Sequence, residues 1–125
     1  MQMTESPGCE TVYIQDDLQK HLDVPVILIH DAKAGVMAEW WFGEHRSSSG
    51  TLVYIAAGQG IGCGVLIDGK LFEGQQGFAG EVGHMSICFD GPTCSCGNRG
   101  CLELYCSTIA LRKLVHKNLV HYPTS

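Results

Sequence analysis

Basic residues are scarce: 8 Lys and Arg against 13 Asp and Glu in 125 residues leave a formal charge of −5. That is too little positive surface for the chain alone to hold a phosphate backbone. Nowhere does an apolar run approach the roughly 20 residues of a membrane span. The opening MQMTESPGCE lacks the basic and apolar regions of a secretory signal. A cytoplasmic protein without a membrane partner is expected. Internal repeats and low-complexity tracts are also missing, and 125 residues are too few for two domains of ordinary size. What the chain has in quantity is glycine, 16 residues, and cysteine, 7. An odd number of thiols without a secretion signal favours reduced cysteines and metal ligation over a disulfide framework.

The punctuation of the sequence predicts α/β layering. Residues 1–15 read as a disordered or truncated segment, and residues 16–125 as the rest of one domain. Asp16 is placed to cap a short helix that Pro25 must end. Val26-Ile27-Leu28-Ile29 has the composition of a strand buried on both faces, stopping at His30-Asp31. Ala32 to Gly43 is rich in helix formers and closes on glycine. A Ser-rich loop from Arg46 leads into strands over Thr51–Ala57 and Val65–Asp68, with Asp68-Gly69 as a tight turn toward Leu71-Phe72. Little regular structure is expected from Gly74 to Gly100, and 27 loop-like residues in a small domain call for a function or a staple. From Leu102 onward, Leu104, Ile109, Leu111, Leu114, Val115 and Leu119 recur at helical spacing, predicting one or two helices. Trp40 and Trp41 are adjacent in the Ala32 helix, so one is expected inside and the other exposed, where it would suit a subunit contact.

Cys94-Ser95-Cys96-Gly97-Asn98-Arg99-Gly100-Cys101, with His84 ten residues earlier, is the sharpest local signal. Three thiols and an imidazole form the donor set of a closed structural zinc site, and Gly97 and Gly100 allow the tight turns that convergence needs. The plainer alternative is a cluster of buried free thiols. A nucleic-acid zinc ribbon is disfavoured because Arg99 is the only basic residue near the cluster. Cys9, Cys63, Cys88 and Cys106 have no comparable pattern and are assigned no role.

Asp31 lies where a buried strand hands over to a helix, the crevice in which open α/β sheets place ligands. It is either a base or hydrogen-bond acceptor for a hydroxyl, or a cap for the helix that follows. Glu81 and Glu103 flank the cysteine loop, so a metal closing that loop also gathers two carboxylates beside an imidazole. Such a set suits a polyol, whose hydroxyls donate to each carboxylate oxygen. Gly58-Gln59-Gly60-Ile61-Gly62-Cys63-Gly64 offers successive backbone N–H groups to an anion. It is no Walker A loop, lacking the Gly-Lys-Ser/Thr ending. By itself it reads rather as a tight hairpin or bulge in a packed sheet.

Taken in order, His30-Asp31-Ala32, the glycine loop from Gly58, Asp68-Gly69-Lys70, Gly80-Glu81-Val82-Gly83-His84 and Cys94-x-Cys96-Gly97-Asn98-x-Gly100-Cys101-Leu102-Glu103 resemble the ROK family of repressors and sugar kinases. The likeness runs from about Asp16 to Val115 and implies part of an actin-like, ribonuclease H-like α/β fold with a zinc-stapled loop. It implies that His84, Cys94, Cys96 and Cys101 hold a structural zinc and that Asp31, Glu81, His84 and Glu103 bind a sugar. A homodimer is also implied. In a kinase of the family, Asp31 would be the general base, ATP and Mg²⁺ would be required, and Gly58, Gln59, Gly60 and Gly62 would line a phosphate loop.

Three departures favour a regulator over a kinase. His30 precedes Asp31 where the family's kinases usually carry Asn, and Gln59 replaces their Thr. The family's D-x-G-x-T phosphate motif and C-terminal nucleotide-binding part do not occur, although phosphoryl transfer needs both phosphate clamps. The chain reads as the central sugar-sensing piece of a longer transcriptional regulator, meeting DNA only through a domain outside this sequence. The alternatives are a piece of a glucokinase-like enzyme, or a zinc-stabilised interaction module without a ligand.

Overall fold

The computed structural model describes residues 13–44 and 49–119. Most of the expected N-terminal segment, Cys9, and the start of the Ser-rich loop at Arg46 lie outside them. The chain divides into two units, Met1–His30 and Asp31–Ser125.

In the first unit, helix α1 spans Ile14–Gln19. It starts two residues before the expected cap, so Asp16 and Asp17 fall in its first turn, where carboxylates meet the positive end of the helix dipole. The Gln19 amide then braces the departing chain. Its Nε2 donates to the Leu22 and Val24 carbonyls, both at 3.0 Å, and its Oε1 accepts from the Val26 N–H at 2.9 Å. Gln15 Nε2 donates to the Val26 carbonyl at 2.9 Å. The strand expected over Val26–Ile29 does not form. A strand buried on both faces needs neighbouring ladders, and here glutamine side chains take the backbone groups of Val26 while Ile27 remains 81% exposed.

The second unit opens with α2, Asp31–Phe42, closed by the Gly43 N–H donating to the Glu39 carbonyl at 2.8 Å. Three antiparallel strands follow in the order β1-β2-β3: β1 is Thr51–Ala57, β2 Ile61–Ile67 and β3 Lys70–Leu71. β2 begins four residues before the expected Val65, because half of the glycine cluster is strand rather than loop. Its register pairs Ala57 with Ile61, Ala56 with Gly62 and Tyr54 with Gly64. The β2–β3 turn has positive φ at Asp68 (48°) and Gly69 (76°), the geometry that two-residue Asp-Gly hairpins adopt.

Helix α2 packs on the sheet face carrying Gly64 and Leu66. Ala32 and Val36 are fully buried and Leu66 is 1% exposed. Contact is that close because Gly64 lacks a side chain: a Cβ there would run into the Ala32 carbonyl oxygen and stand 2.8 Å from Val36 Cγ1. On the opposite face Val53 and Ile55 are 52% and 61% exposed. Trp40 is half-buried beside Gly69 and Trp41 is 53% exposed, as expected for adjacent helix positions.

From Glu73 to Gly100 regular structure is confined to a 3-10 turn, Val82–His84, and two isolated bridges, Ser86 with Cys101 and Thr93 with Arg99. Helices α3, Glu103–Cys106, and α4, Thr108–Leu119, close the chain. Ser107 Oγ accepts from the Ala110 N–H at 3.2 Å, an N-cap that starts α4. Among the described residues, no helix is long and apolar enough to cross a membrane.

The α2–β2 contact generates a stability prediction. Gly64→Ala is expected to lower the unfolding free energy by about 1–3 kcal/mol, the usual cost of overpacking. Urea denaturation checks this, and an unchanged midpoint would mean that α2 does not bear on β2.

Candidate metal centre and its carboxylate neighbour

His84 is delivered by close backbone packing. A Cβ on Gly83 would strike the Ile61 carbonyl oxygen, so only glycine lets the 3-10 turn lie against β2. The cysteines arrive on a returning segment zipped to the residues after His84. The Ile87 N–H donates to the Gly100 carbonyl and the Leu102 N–H to the Met85 carbonyl, both at 2.9 Å. Between them the chain folds tightly, with the Cys94 N–H donating to the Asn98 carbonyl at 2.8 Å and the Gly97 N–H to the Cys94 carbonyl at 3.0 Å. Gly100 has φ +63°, and a Cβ there would collide with the Cys88 carbonyl oxygen, so this position requires glycine twice over.

The result is a convergence of four donors. One ligand atom from each of His84, Cys94, Cys96 and Cys101 lies within 4.8 Å of every other. Cys94 Sγ is 3.7 Å from His84 Nδ1, and Cys96 Sγ is 3.7 Å from Cys101 Sγ. Cys94 and Cys101 are buried, His84 is half-buried, and Cys96 is at the surface. Backbone N–H donation at Asn98 is the main influence lowering the Cys96 thiol pKa. Cys101 is pushed up to about 12, first by burial and then by hydrogen bonds with Cys96 and Cys94. A cation entering this set must therefore displace protons, above all from Cys101.

Glu103 adjoins the cluster. It is the first residue of α3, and its Oε1 lies 3.3 Å from Cys94 Sγ and 3.6 Å from His84 Nδ1. Its Oε2 faces the β1–β2 hairpin, 3.1 Å from where a Cβ on Gly60 would stand. Gly58, Gln59 and Gly60 form the tip of that hairpin, whose Gly58 carbonyl accepts from both Thr108 N–H (2.8 Å) and Thr108 Oγ1 (3.0 Å). Gly62 lies inside β2 opposite Ala56 and not in the turn. Half-buried Glu81 immediately precedes the 3-10 turn, and its carbonyl accepts from the His84 N–H at 3.1 Å. Asp31 is the exposed first residue of α2, with Oδ1 accepting from the Ala32 N–H at 2.7 Å.

Sequence reasoning assigned nothing to two side chains that the structure ties to other segments. Asn98 Nδ2 donates to the His84 carbonyl at 3.2 Å, bracing that residue from the facing segment. Lys33 is 6% exposed, with its Nζ 2.7 Å from the Gly77 carbonyl. A lysine inside an Ala- and Gly-rich helical stretch was its only signal. Of the cysteines left without a role, Cys63 is buried in β2, where burial raises its pKa. Cys88 donates to Asp90 Oδ1 at 3.1 Å and Cys106 to the Leu102 carbonyl at 3.3 Å.

This arrangement has relatives. The model described as the ROK family matches residues 1–125. A xylose repressor from Caldicellulosiruptor bescii is 44% identical over 86% of this chain, which covers 27% of that relative. A glucokinase from Thermotoga maritima is 38% identical over 95% of this chain, which covers 37% of it. The crystal structure of a ROK family glucokinase from Streptomyces griseus, in complex with glucose and AMPPNP, superposes with a TM-score of 0.79 at 33% identity, over 87% of this chain and 35% of that one. The chain thus spans roughly a quarter to a third of the length of these relatives.

The four-donor geometry is tested with cobalt(II). Titration is expected to saturate at about one ion per chain, with the visible absorption of a tetrahedral thiolate site, and Cys101→Ser is expected to abolish that spectrum. Because protons leave as the metal enters, apparent affinity should climb as pH rises.

Proposed function

Because the chain belongs to the ROK family, we propose that it is the sugar-sensing segment of a ROK-type transcriptional regulator, built around a structural zinc. The observation that carries this is Glu103, one carboxylate oxygen against the His84–Cys94 pair and the other facing the Gly60 hairpin. Zinc fits the donor set. A Zn–S bond of about 2.3 Å separates two sulfurs of a tetrahedral site by about 3.8 Å, and the Cys96 and Cys101 sulfurs stand 3.7 Å apart. When bound, the metal supplies a covalent cross-link between the segments carrying His84 and Cys94–Cys101 and performs no chemistry on the ligand.

The chain's own residues do the recognising. In this proposal Glu81, Glu103 and Asp31 accept hydrogen bonds from sugar hydroxyls, and His84 presents its remaining ring nitrogen to the same ligand. The name of the repressor relative points to xylose, and the bound ligand of the glucokinase structure to glucose. DNA binding belongs to another part of the regulator. His30 and Gln59, where kinases of the family usually carry Asn and Thr, support sensing over phosphoryl transfer, as does the higher identity to the repressor, 44% against 38%. One observation favours the kinase instead, the TM-score of 0.79 with a glucokinase holding glucose and an ATP analogue.

Calorimetric titration of the zinc-loaded chain with D-xylose and D-glucose, with and without ATP and Mg²⁺, separates the two. Saturable sugar binding indifferent to nucleotide is expected for the sensor, whereas strengthening by ATP would transfer the reading to the kinase. Glu103→Gln is expected to weaken sugar binding about tenfold, the loss of a charge-assisted hydrogen bond, while zinc content stays unchanged. Full affinity in that variant would remove Glu103 from the site.

A further inference from the structure

We propose that Lys33 is a positioning residue for the sugar site, a latch between the helix that begins with Asp31 and the loop that delivers Glu81. The proposal rests on the sugar-binding reading above and extends it to a residue outside the ligand set.

Lys33 lies two residues after Asp31 in α2 and is 94% buried, given its 6% exposure. Its Nζ donates to the Gly77 carbonyl at 2.7 Å, across 44 residues of sequence. Among the described residues, no carboxylate lies within ion-pair distance of this ammonium. A buried cation facing one neutral carbonyl makes a short, charge-assisted bond, because few other acceptors can replace the water it has lost. Such a placement is costly for a residue that merely fills space, which a methionine or leucine would do without a charge.

The two elements joined by this bond differ in rigidity. Helix α2 is held on β2 through Ala32, Val36 and Gly64. The loop from Glu73 to Gly80 contains no regular structure. Its base is closed by the Ala79 N–H donating to the Glu73 carbonyl at 3.1 Å, and Gly80 lies against the Cys63 carbonyl. Between these ties Gln75 and Gln76 are exposed, Phe78 is 70% exposed, and Gly77 has φ +79°. Into this stretch the Lys33 ammonium reaches from α2. Glu81 comes four residues after Gly77 on the same loop, and in this proposal the latch, together with the ties at Ala79 and Gly80, holds its carboxylate relative to the Asp31 end of α2. Freeing the loop tip leaves the metal ligands in place and releases one carboxylate of the site.

The test uses the full chain, zinc-loaded, as wild type, Lys33→Met, which keeps the aliphatic stem, and Lys33→Arg, which keeps a cationic donor. Amide hydrogen exchange is followed along the chain, and D-xylose and D-glucose binding is measured by calorimetry. In Lys33→Met, exchange over residues 74–81 is expected to rise about tenfold with the β1–β2 ladder unchanged. Sugar affinity should fall about tenfold and zinc stoichiometry should stay at that of the wild type, as for loss of one charge-assisted hydrogen bond. Lys33→Arg should recover most of both effects. If the Met variant does not fold, Lys33→Gln, which keeps a neutral donor, takes its place in the same measurements. Unchanged loop exchange overturns the latch. Faster exchange spread evenly over loop and sheet overturns it too, because Lys33 would then be a stability residue only. Faster loop exchange with full sugar affinity overturns the positioning role. Binding of neither sugar by the wild type overturns the sugar reading and the positioning role with it, while the exchange data still decide whether the latch exists.

Discussion

The segment from His84 to Glu103 is arranged around four donor atoms that meet within 4.8 Å. Ordering a residue costs about 1–2 kcal/mol of backbone entropy, and between Glu73 and Gly100 few apolar side chains are buried to offset it. Phe78 and Phe89 are 70% and 89% exposed, whereas the thiols of Cys94, and of Cys101 just beyond the segment, are buried. A loop that buries thiols while leaving its phenylalanines in water is not held by hydrophobic collapse, and the proposed zinc would supply the cross-link it lacks. The glycines follow from the same constraint. Gly83 and Gly100 have carbonyl oxygens where a side chain would be, because the ligands converge only if backbone passes directly over backbone.

A second, more ordinary packing supplies the frame. Helix α2 and the β1–β2 hairpin meet through Ala32, Val36, Gly64 and Leu66, and from this frame the hairpin tip reaches Glu103 on one side and Thr108 on the other. Glu103 therefore belongs to two systems, the cysteine–histidine cluster beside its Oε1 and the hairpin that faces its Oε2. Loss of either support would move the same carboxylate.

What could be read from the residues alone divides along physical lines. The β1 strand, the Asp68-Gly69 turn, the paired helices after Leu102 and the cysteine constellation were legible because each is written in local chemistry: alternation, turn residues, helical spacing and donor type. Val26–Ile29 was misread because its apolar composition describes a strand among neighbours, whereas composition says nothing about whether neighbours are present. The start of β2 was misplaced because glycines permit turn and strand alike, and their positions are decided by what packs over them, here Ala32 and Val36. Glu103 was placed beside the cluster by the argument that closing the loop gathers its flanks. Lys33 was invisible because its partner is a backbone carbonyl 44 residues away, and no side-chain pattern encodes a carbonyl.

The orientation of His84 links the metal to the chemistry of recognition. Its Nδ1 is the nitrogen that faces Cys94 Sγ and Glu103 Oε1. On the proposed zinc reading, ligation through Nδ1 fixes the proton on Nε2, so the half-buried ring can only donate from its open side. The carboxylates of Glu81 and Glu103 can only accept when ionised. A sugar hydroxyl does both at once, giving its proton to a carboxylate while its lone pair takes the Nε2–H. A site with one fixed donor among acceptors is therefore matched to a hydroxyl. A carbonyl offers no proton for the carboxylates, and an ammonium has no lone pair for the imidazole. In the proposed sugar site the zinc would thus select the class of ligand without touching it, by setting which way one imidazole donates.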